Sequence, residues 1–187
     1  LVRIMPDGSP YAGNPKLDGW APKVWSIGHR NMQGAAINPK DGKLWTIEHG
    51  AKGGDEINIP EVGHNYGWPI ISYGRHYNGS KIGDGTEKEG LEQPIYYWDP
   101  SIAPSSMLFY TGDKYPGWKG NIIVGALAGQ SLRRLKVDGD HIVGEETLFK
   151  EMNCRFRNVV QGPDGYLWVI VDSPAPWGSV WRVMPKA

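Results

Sequence analysis

A hairpin signature that returns along the chain limits its fold more than any other feature. Asn38-Pro39-Lys40-Asp41-Gly42-Lys43-Leu44-Trp45 is matched by Gly162-Pro163-Asp164-Gly165-Tyr166-Leu167-Trp168. In each, Pro sets the backbone for turn entry, Asp-Gly supplies the positive φ of a tight hairpin, and an apolar strand follows. A second echo joins the opening Leu1-Val2-Arg3-Ile4-Met5-Pro6 to Val180-Trp181-Arg182-Val183-Met184-Pro185. Leu132 to Gly139 carries a similar alternating strand into another Asp-Gly turn, and Asn121 to Ala126 reads as a buried strand after a Gly-rich turn. Hairpins repeated at irregular spacings predict an all-β fold assembled like propeller blades. No amphipathic helix of three turns or more is legible, and Tyr77 to Glu92, rich in Gly and charge, reads as a long surface loop.

The repeats account for about three blades, whereas propellers close with roughly four to eight. Three alone leave raw sheet edges and an open centre, and the chain opens inside what reads as a strand. A fragment of a larger propeller is therefore expected; a complete small sandwich of 187 residues is the alternative. Composition agrees with β structure: 26 Gly and 15 Pro are spread along the chain as turn residues, and nine Trp with nine Tyr suit half-buried strands. Twenty basic residues balance twenty acidic ones, which gives no reason to expect nucleic acid or an acidic membrane surface as partner. No apolar run approaches the roughly 18 residues of a membrane-spanning helix. The single cysteine, Cys154, excludes an internal disulfide and a cysteine-based zinc site within the chain.

Three polar segments stand out. Gly28-His29-Arg30-Asn31-Met32-Gln33-Gly34 lies between the apolar Val24-Trp25-Ser26-Ile27 and Ala35-Ala36-Ile37. Buried there, its polar groups need partners, and a planar polar ligand would supply them; a solvated loop is the plainer reading. Glu48-His49-Gly50-Ala51-Lys52-Gly53-Gly54-Asp55-Glu56-Ile57-Asn58 combines carboxylates with flexible backbone. That suits calcium, which accepts main-chain oxygens, and equally suits a turn followed by a strand. His49 alone reads as a hydrogen-bonding histidine, since no second His lies at ligand spacing. In Cys154-Arg155-Phe156-Arg157-Asn158-Val159, strand alternation puts both arginines on one face and Phe156 on the other. The pair is either a clamp for a polycarboxylate or two arginines on a solvent-facing strand.

Taken together and in order, these segments, with Gly63-His64-Asn65-Tyr66-Gly67-Trp68-Pro69 and Pro100-Ser101-Ile102-Ala103-Pro104-Ser105-Ser106, resemble the soluble aldose dehydrogenases of the glucose/sorbosone dehydrogenase family. The resemblance covers nearly the whole chain. It implies about three blades of a six-bladed β-propeller, residues 1–187 being the C-terminal half of one domain whose N-terminal half lies elsewhere. It implies pyrroloquinoline quinone and Ca2+ as cofactors. Arg30 matches the arginine beside the reactive quinone carbonyl, Asn31 a quinone-binding asparagine, and Gln33 a further candidate in the same loop. His49 and Asp55 match positions at the cofactor, and Arg155 and Arg157 match the arginines that hold its carboxylates. Main-chain oxygens of Gly50 and Ala51 match ligands of the calcium at the quinone; Glu56 and the backbone of Tyr66 match a second, structural calcium site. The chain departs from the pattern at Ala128, where some members have a cofactor-binding lysine, and at His49 and Ala51, where one branch has glutamine and proline.

The implied reaction oxidises the anomeric carbon of an aldose to a lactone. A base takes the hydroxyl proton while hydride moves to the quinone. None of His29, His49, His64, His76 or His141 matches the family's catalytic histidine, so this chain alone is expected to be inactive. The partners implied are an aldose, the other half of the propeller and an external electron acceptor, with a homodimer possible and a periplasmic or secreted location. The rival reading is a non-enzymatic secreted binding propeller of the same fold.

Overall fold

A computed structural model describes residues 1–172 and 178–185. Among the described residues, eleven strands form three antiparallel sheets, and one 3-10 turn, Lys150–Met152, is the sole helical element. The first sheet holds β1 (Met32–Ile37), β2 (Leu44–Glu48), β3 (Asp55–Asn58) and β4 (Tyr96–Trp98). The second holds β5 (Pro104–Phe109), β6 (Ile122–Ala126), β7 (Ser131–Asp138) and β8 (His141–Leu148). The third holds β9 (Phe156–Gln161), β10 (Leu167–Val171) and β11 (Ser179–Arg182). Strands are paired in chain order within every sheet.

The repeated motif makes the turns it promises. Between β1 and β2, Gly42 sits at φ 75°, a conformation that strains any residue with a side chain, and donates its N–H to the Asn38 carbonyl at 2.9 Å. Between β9 and β10 the second copy closes with Gly162 N–H on the Tyr166 carbonyl at 2.8 Å.

Period-two alternation then sorts side chains between two cores. In β6, Ile122 and Val124 join the core shared with the first sheet, while Ile123 between them joins the core shared with the third. The first core stacks Trp45, Ile47 and Ile57 on Met107 and Phe109, the Trp45 and Phe109 rings meeting edge-on at 5.3 Å. The second packs Leu132 and Tyr110 against Phe156, Val159, Leu167 and Val169. The middle sheet is thus covered on both faces.

The inner strands β1, β5 and β9 lie side by side. Gly34 of β1 is so close to β5 that an added Cβ would meet main chain of Ser106 and Met107. Ser105 Oγ donates to the Phe156 carbonyl at 2.6 Å, Val159 N–H to Ser106 Oγ at 3.1 Å, and Thr111 N–H to Gln161 Oε1 at 2.9 Å. Residue numbers rise together along these pairs, so β5 and β9 run the same way. The three sheets are blades of a partial β-propeller.

Tyr77 to Glu92, read as a long surface loop, contains no strand, although Ile82 within it is buried. The opening segment differs from expectation: Leu1 to Pro6 makes only the isolated bridges Val2 to Val24 and Ile4 to Pro10, whereas its echo forms β11. Apolar alternation is not enough where neighbouring chain offers one paired residue at a time; Val2 and Ile4 stay more than half exposed.

Candidate functional site

The polar segments sit where strands begin or end. Arg30 and Asn31 immediately precede β1, His49 to Ala51 follow β2, Asp55 and Glu56 open β3, and Arg155 and Arg157 flank Phe156 at the start of β9. His49 ties these ends together. Its N–H donates to the Asn31 carbonyl at 3.0 Å, its carbonyl accepts Arg30 Nη1 at 3.1 Å, and its ring Nε2 lies 2.7 Å from the Pro104 carbonyl. Since the Ser105 hydroxyl binds Phe156, a polar chain runs from Arg30 across β5 to the strand that carries the arginine pair.

The Arg30 turn is tightly built. Gly28 has φ 79°, and a Cβ there would collide with the Asn65 side chain and the main-chain nitrogens of Tyr66 and Gly67, so only glycine passes. The Arg30 guanidinium lies over the Trp68 ring at 5.2 Å, and its Nε is buried with no partner among the described residues. Gln33 Nε2 donates to Asn31 Oδ1 at 2.8 Å, orienting that amide. Behind the turn, the buried Glu48 accepts the main-chain N–H groups of Arg30 and Asn31 at 2.5 and 3.1 Å.

A line of Ser26, His29 and Glu48 also appears, with Ser26 Oγ 2.8 Å from His29 Nε2 and His29 Nδ1 3.2 Å from Glu48 Oε1. Because Glu48 only accepts when ionised, Nδ1 is the donor there. Ser26 is fully buried, so no ester or amide reaches its hydroxyl. The line is a support, not a hydrolytic triad.

Asp55 is fully buried beneath Gly50 rather than open to a ligand. It accepts the N–H groups of Gly50, Ile102 and Ala103 at 2.9, 2.8 and 3.0 Å and the Ser101 hydroxyl at 2.8 Å. Both oxygens are committed to the protein. Glu56 stands opposite Glu48 in the β2–β3 register, and Asn58 Nδ2 reaches both carboxylates at 3.3 and 3.4 Å. Burial first, and the Glu48 charge second, push the Glu56 carboxyl up to about 7. A void of about 10 Å3, the size of one water, is lined by Arg30, Glu48, His49, Glu56, Tyr66 and Trp68. Among the described residues no group of three or more His, Cys, Asp or Glu side chains is placed to hold a metal ion. Calcium also takes main-chain oxygens, so side chains alone do not decide the fit.

Arg155 and Arg157 flank the fully buried Phe156, as alternation predicted. Their mutual repulsion is answered by Asp172, whose Oδ2 lies 2.7 Å from Arg157 Nη2 and 3.8 Å from Arg155 Nε. The Arg157 hydrogen bond holds the Asp172 carboxyl below its usual range. Asp172 was missed from sequence, and Glu48 and His29, noted within their segments as ligand-facing groups, turn out to support the Arg30 turn from behind. For Asp172 the only signal was its place just after β10, beside the start of β9, where its N–H donates to the Arg155 carbonyl at 2.8 Å. A larger apolar cleft of about 510 Å3 lies among Trp25, Ile37, Leu44 and Val62, at the opposite end of β1 from Arg30.

Residues 1–180 match the family model described as Glucose / Sorbosone dehydrogenase. The chain is 42% identical over 190 residues to the aldose sugar dehydrogenase YliI of Escherichia coli (strain K12), covering 100% of this chain and 51% of that protein. It superposes on a crystal structure of a glucose dehydrogenase with a TM-score of 0.94 at 43% identity, covering 99% of this chain and 54% of the other. It is also similar to the PQQ-bound form of an aldose sugar dehydrogenase from Streptomyces coelicolor, with a TM-score of 0.73, 27% identity, and 97% and 50% of the two chains covered. The chain spans about half the length of each of these relatives.

Proposed function

We propose, from the premise that this chain belongs to the glucose/sorbosone dehydrogenase family, that it is the cofactor-holding part of a quinoprotein that oxidises aldoses at the anomeric carbon. The observation that carries the reading is the placement of Arg30, Asn31, Arg155 and Arg157 at strand entries joined by the His49, Pro104, Ser105 and Phe156 bonds. The buried, unpartnered Arg30 Nε is a donor that fits an oxygen-rich planar anion.

The chemistry that bound pyrroloquinoline quinone and calcium supply is acceptance of two electrons from the sugar, with calcium polarising the acceptor. Arg155 and Arg157 would grip carboxylates through their planar forks, with Asp172 offsetting their repulsion and holding the two forks side by side. Arg30 would face the oxygen where negative charge develops, and its position over Trp68 limits its motion. Asn31, held by Gln33, offers a fixed amide beside it. Gly50 and Ala51 would contribute main-chain oxygens to the calcium at the quinone. Asp55 acts below them by fixing the Gly50 N–H. Glu56 and the Tyr66 carbonyl would hold a second calcium, whose charge would offset the crowding of the Glu56 and Glu48 carboxylates. The proton of the sugar hydroxyl goes to a base supplied from outside these residues, and an external acceptor takes the electrons onward.

The reading is tested by titrating pyrroloquinoline quinone with calcium into a complete propeller carrying this chain, followed by absorbance and by dye reduction with glucose. Saturable binding at one quinone per propeller is expected. Arg157→Ala should weaken it about 10- to 100-fold, the loss of one charge-assisted hydrogen bond. Absence of binding in a folded, complete assembly overturns the dehydrogenase reading in favour of a binding propeller.

A further inference from the structure

We propose that Glu48 is the positioning residue of the cofactor site, a buried carboxylate that fixes the direction in which Arg30 and Asn31 present their side chains. The proposal rests on the cofactor reading above. Glu48 is 3% exposed and lies at the end of β2. Its Oε2 accepts two successive main-chain N–H groups, from Arg30 at 2.5 Å and Asn31 at 3.1 Å. Its Oε1 lies 3.2 Å from His29 Nδ1 and accepts Asn58 Nδ2 at 3.3 Å. Four protein donors therefore meet a group with about four lone-pair sites.

Successive N–H groups converging on one point form a concave anion site, and here the protein fills that site with its own carboxylate. Fixing both N–H vectors fixes the two peptide planes that flank Arg30 and so its Cα–Cβ direction; the plane that follows Asn31 is held by His49 N–H on the Asn31 carbonyl at 3.0 Å. The second oxygen is anchored in turn. The His29 ring is held by Ser26 at 2.8 Å and stacked on Tyr66 at 4.7 Å with 20° between the planes, so the carboxylate has no free rotation. His49 completes the frame from the other side by accepting the Arg30 guanidinium on its carbonyl. Arg30 touches the proposed quinone; Glu48 acts through it.

Glu48→Gln is the sharp test, because glutamine keeps the shape but must turn its NH2 towards either the two main-chain donors or His29 and Asn58. In the cofactor-free protein, hydrogen exchange at the Arg30 and Asn31 amides is expected to quicken about tenfold or more, with strands β5 to β10 unchanged. Quinone affinity in the complete propeller should fall about tenfold, with kcat at saturating quinone reduced and the sugar KM unchanged. Exchange at these two amides and quinone affinity both within about twofold of wild type would overturn the proposal. If Glu48→Gln does not fold, His29→Phe keeps the ring stack on Tyr66 and removes the anchor; unaltered Arg30 and Asn31 exchange in that variant overturns the proposal equally. A wild-type protein that binds no quinone sinks the cofactor reading, while amide exchange still decides the role of Glu48.

Discussion

Replacing Asp55 with alanine is expected to lower the melting temperature by about 10 °C. Asp55 is fully buried and gathers donors from two turns that are remote in sequence, Gly50 on one side and Ser101, Ile102 and Ala103 on the other. Ala103 is held at φ 49° although it is not glycine, so the bonds also restrain a strained backbone that leads into β5. Alanine leaves the Gly50 and Ile102 N–H groups and the Ser101 hydroxyl without that acceptor, while Ala103 N–H keeps Ser101 Oγ at 3.1 Å. At about 1–3 kcal/mol for each unsatisfied group, with partial relaxation, the cost is about 4 kcal/mol. Asp55→Asn keeps one acceptor oxygen and should lie between the two. A thermal melt of each variant decides it, and a shift below about 3 °C for alanine would show that water or rearranged side chains replace the carboxylate.

Calcium is expected to stabilise the protein more at about pH 8 than at about pH 5.5, and Glu56→Gln to remove that difference. The folded state raises the Glu56 carboxyl from 4.5 to about 7, through burial first and the neighbouring Glu48 charge second. Folded protein therefore binds this proton more tightly than unfolded protein does. Without a cation, stability falls as pH climbs through the window from 4.5 to about 7, by up to about 3 kcal/mol. A divalent ion beside the two carboxylates would offset the penalty where they are ionised. Glu56→Gln never carries that charge, so at high pH without calcium it should melt above wild type. A variant that keeps the full calcium increment would place the ion elsewhere.

What was legible in the sequence was local. The Asp41-Gly42 and Asp164-Gly165 turns, the strands after them, and the burial of Phe156 between two outward arginines all follow from rules that span a few residues. The segments of the candidate site were also visible, because Arg30, His49 and Arg155 stand in compact polar runs between apolar strands. Their supports were not. Glu48 closes an apolar strand and looked like the start of a turn; its role depends on His29 and Asn58, which pairing brings together from either side. Asp55 looked like a cofactor neighbour, and only the approach of the 101–103 turn, some 47 positions on, shows where its oxygens are spent. The opening apolar alternation at Val2 and Ile4 misled for the same reason, since a strand needs a ladder partner that no local rule supplies.

The stitches from His49 to Pro104 and from Ser105 to Phe156 join residues 55 and 51 positions apart. Contacts of such high order form only after long stretches of chain have been brought to rest, and loop closure resists each of them. The β1–β2 hairpin holds the Arg30 turn by itself through Glu48 and His49, but only these long-range stitches bring it beside the strand that carries Arg155 and Arg157, so cofactor capture waits on contacts of high order. A lesion in the middle sheet, far from any ligand, would thus be felt first as a delay in acquiring the bound state.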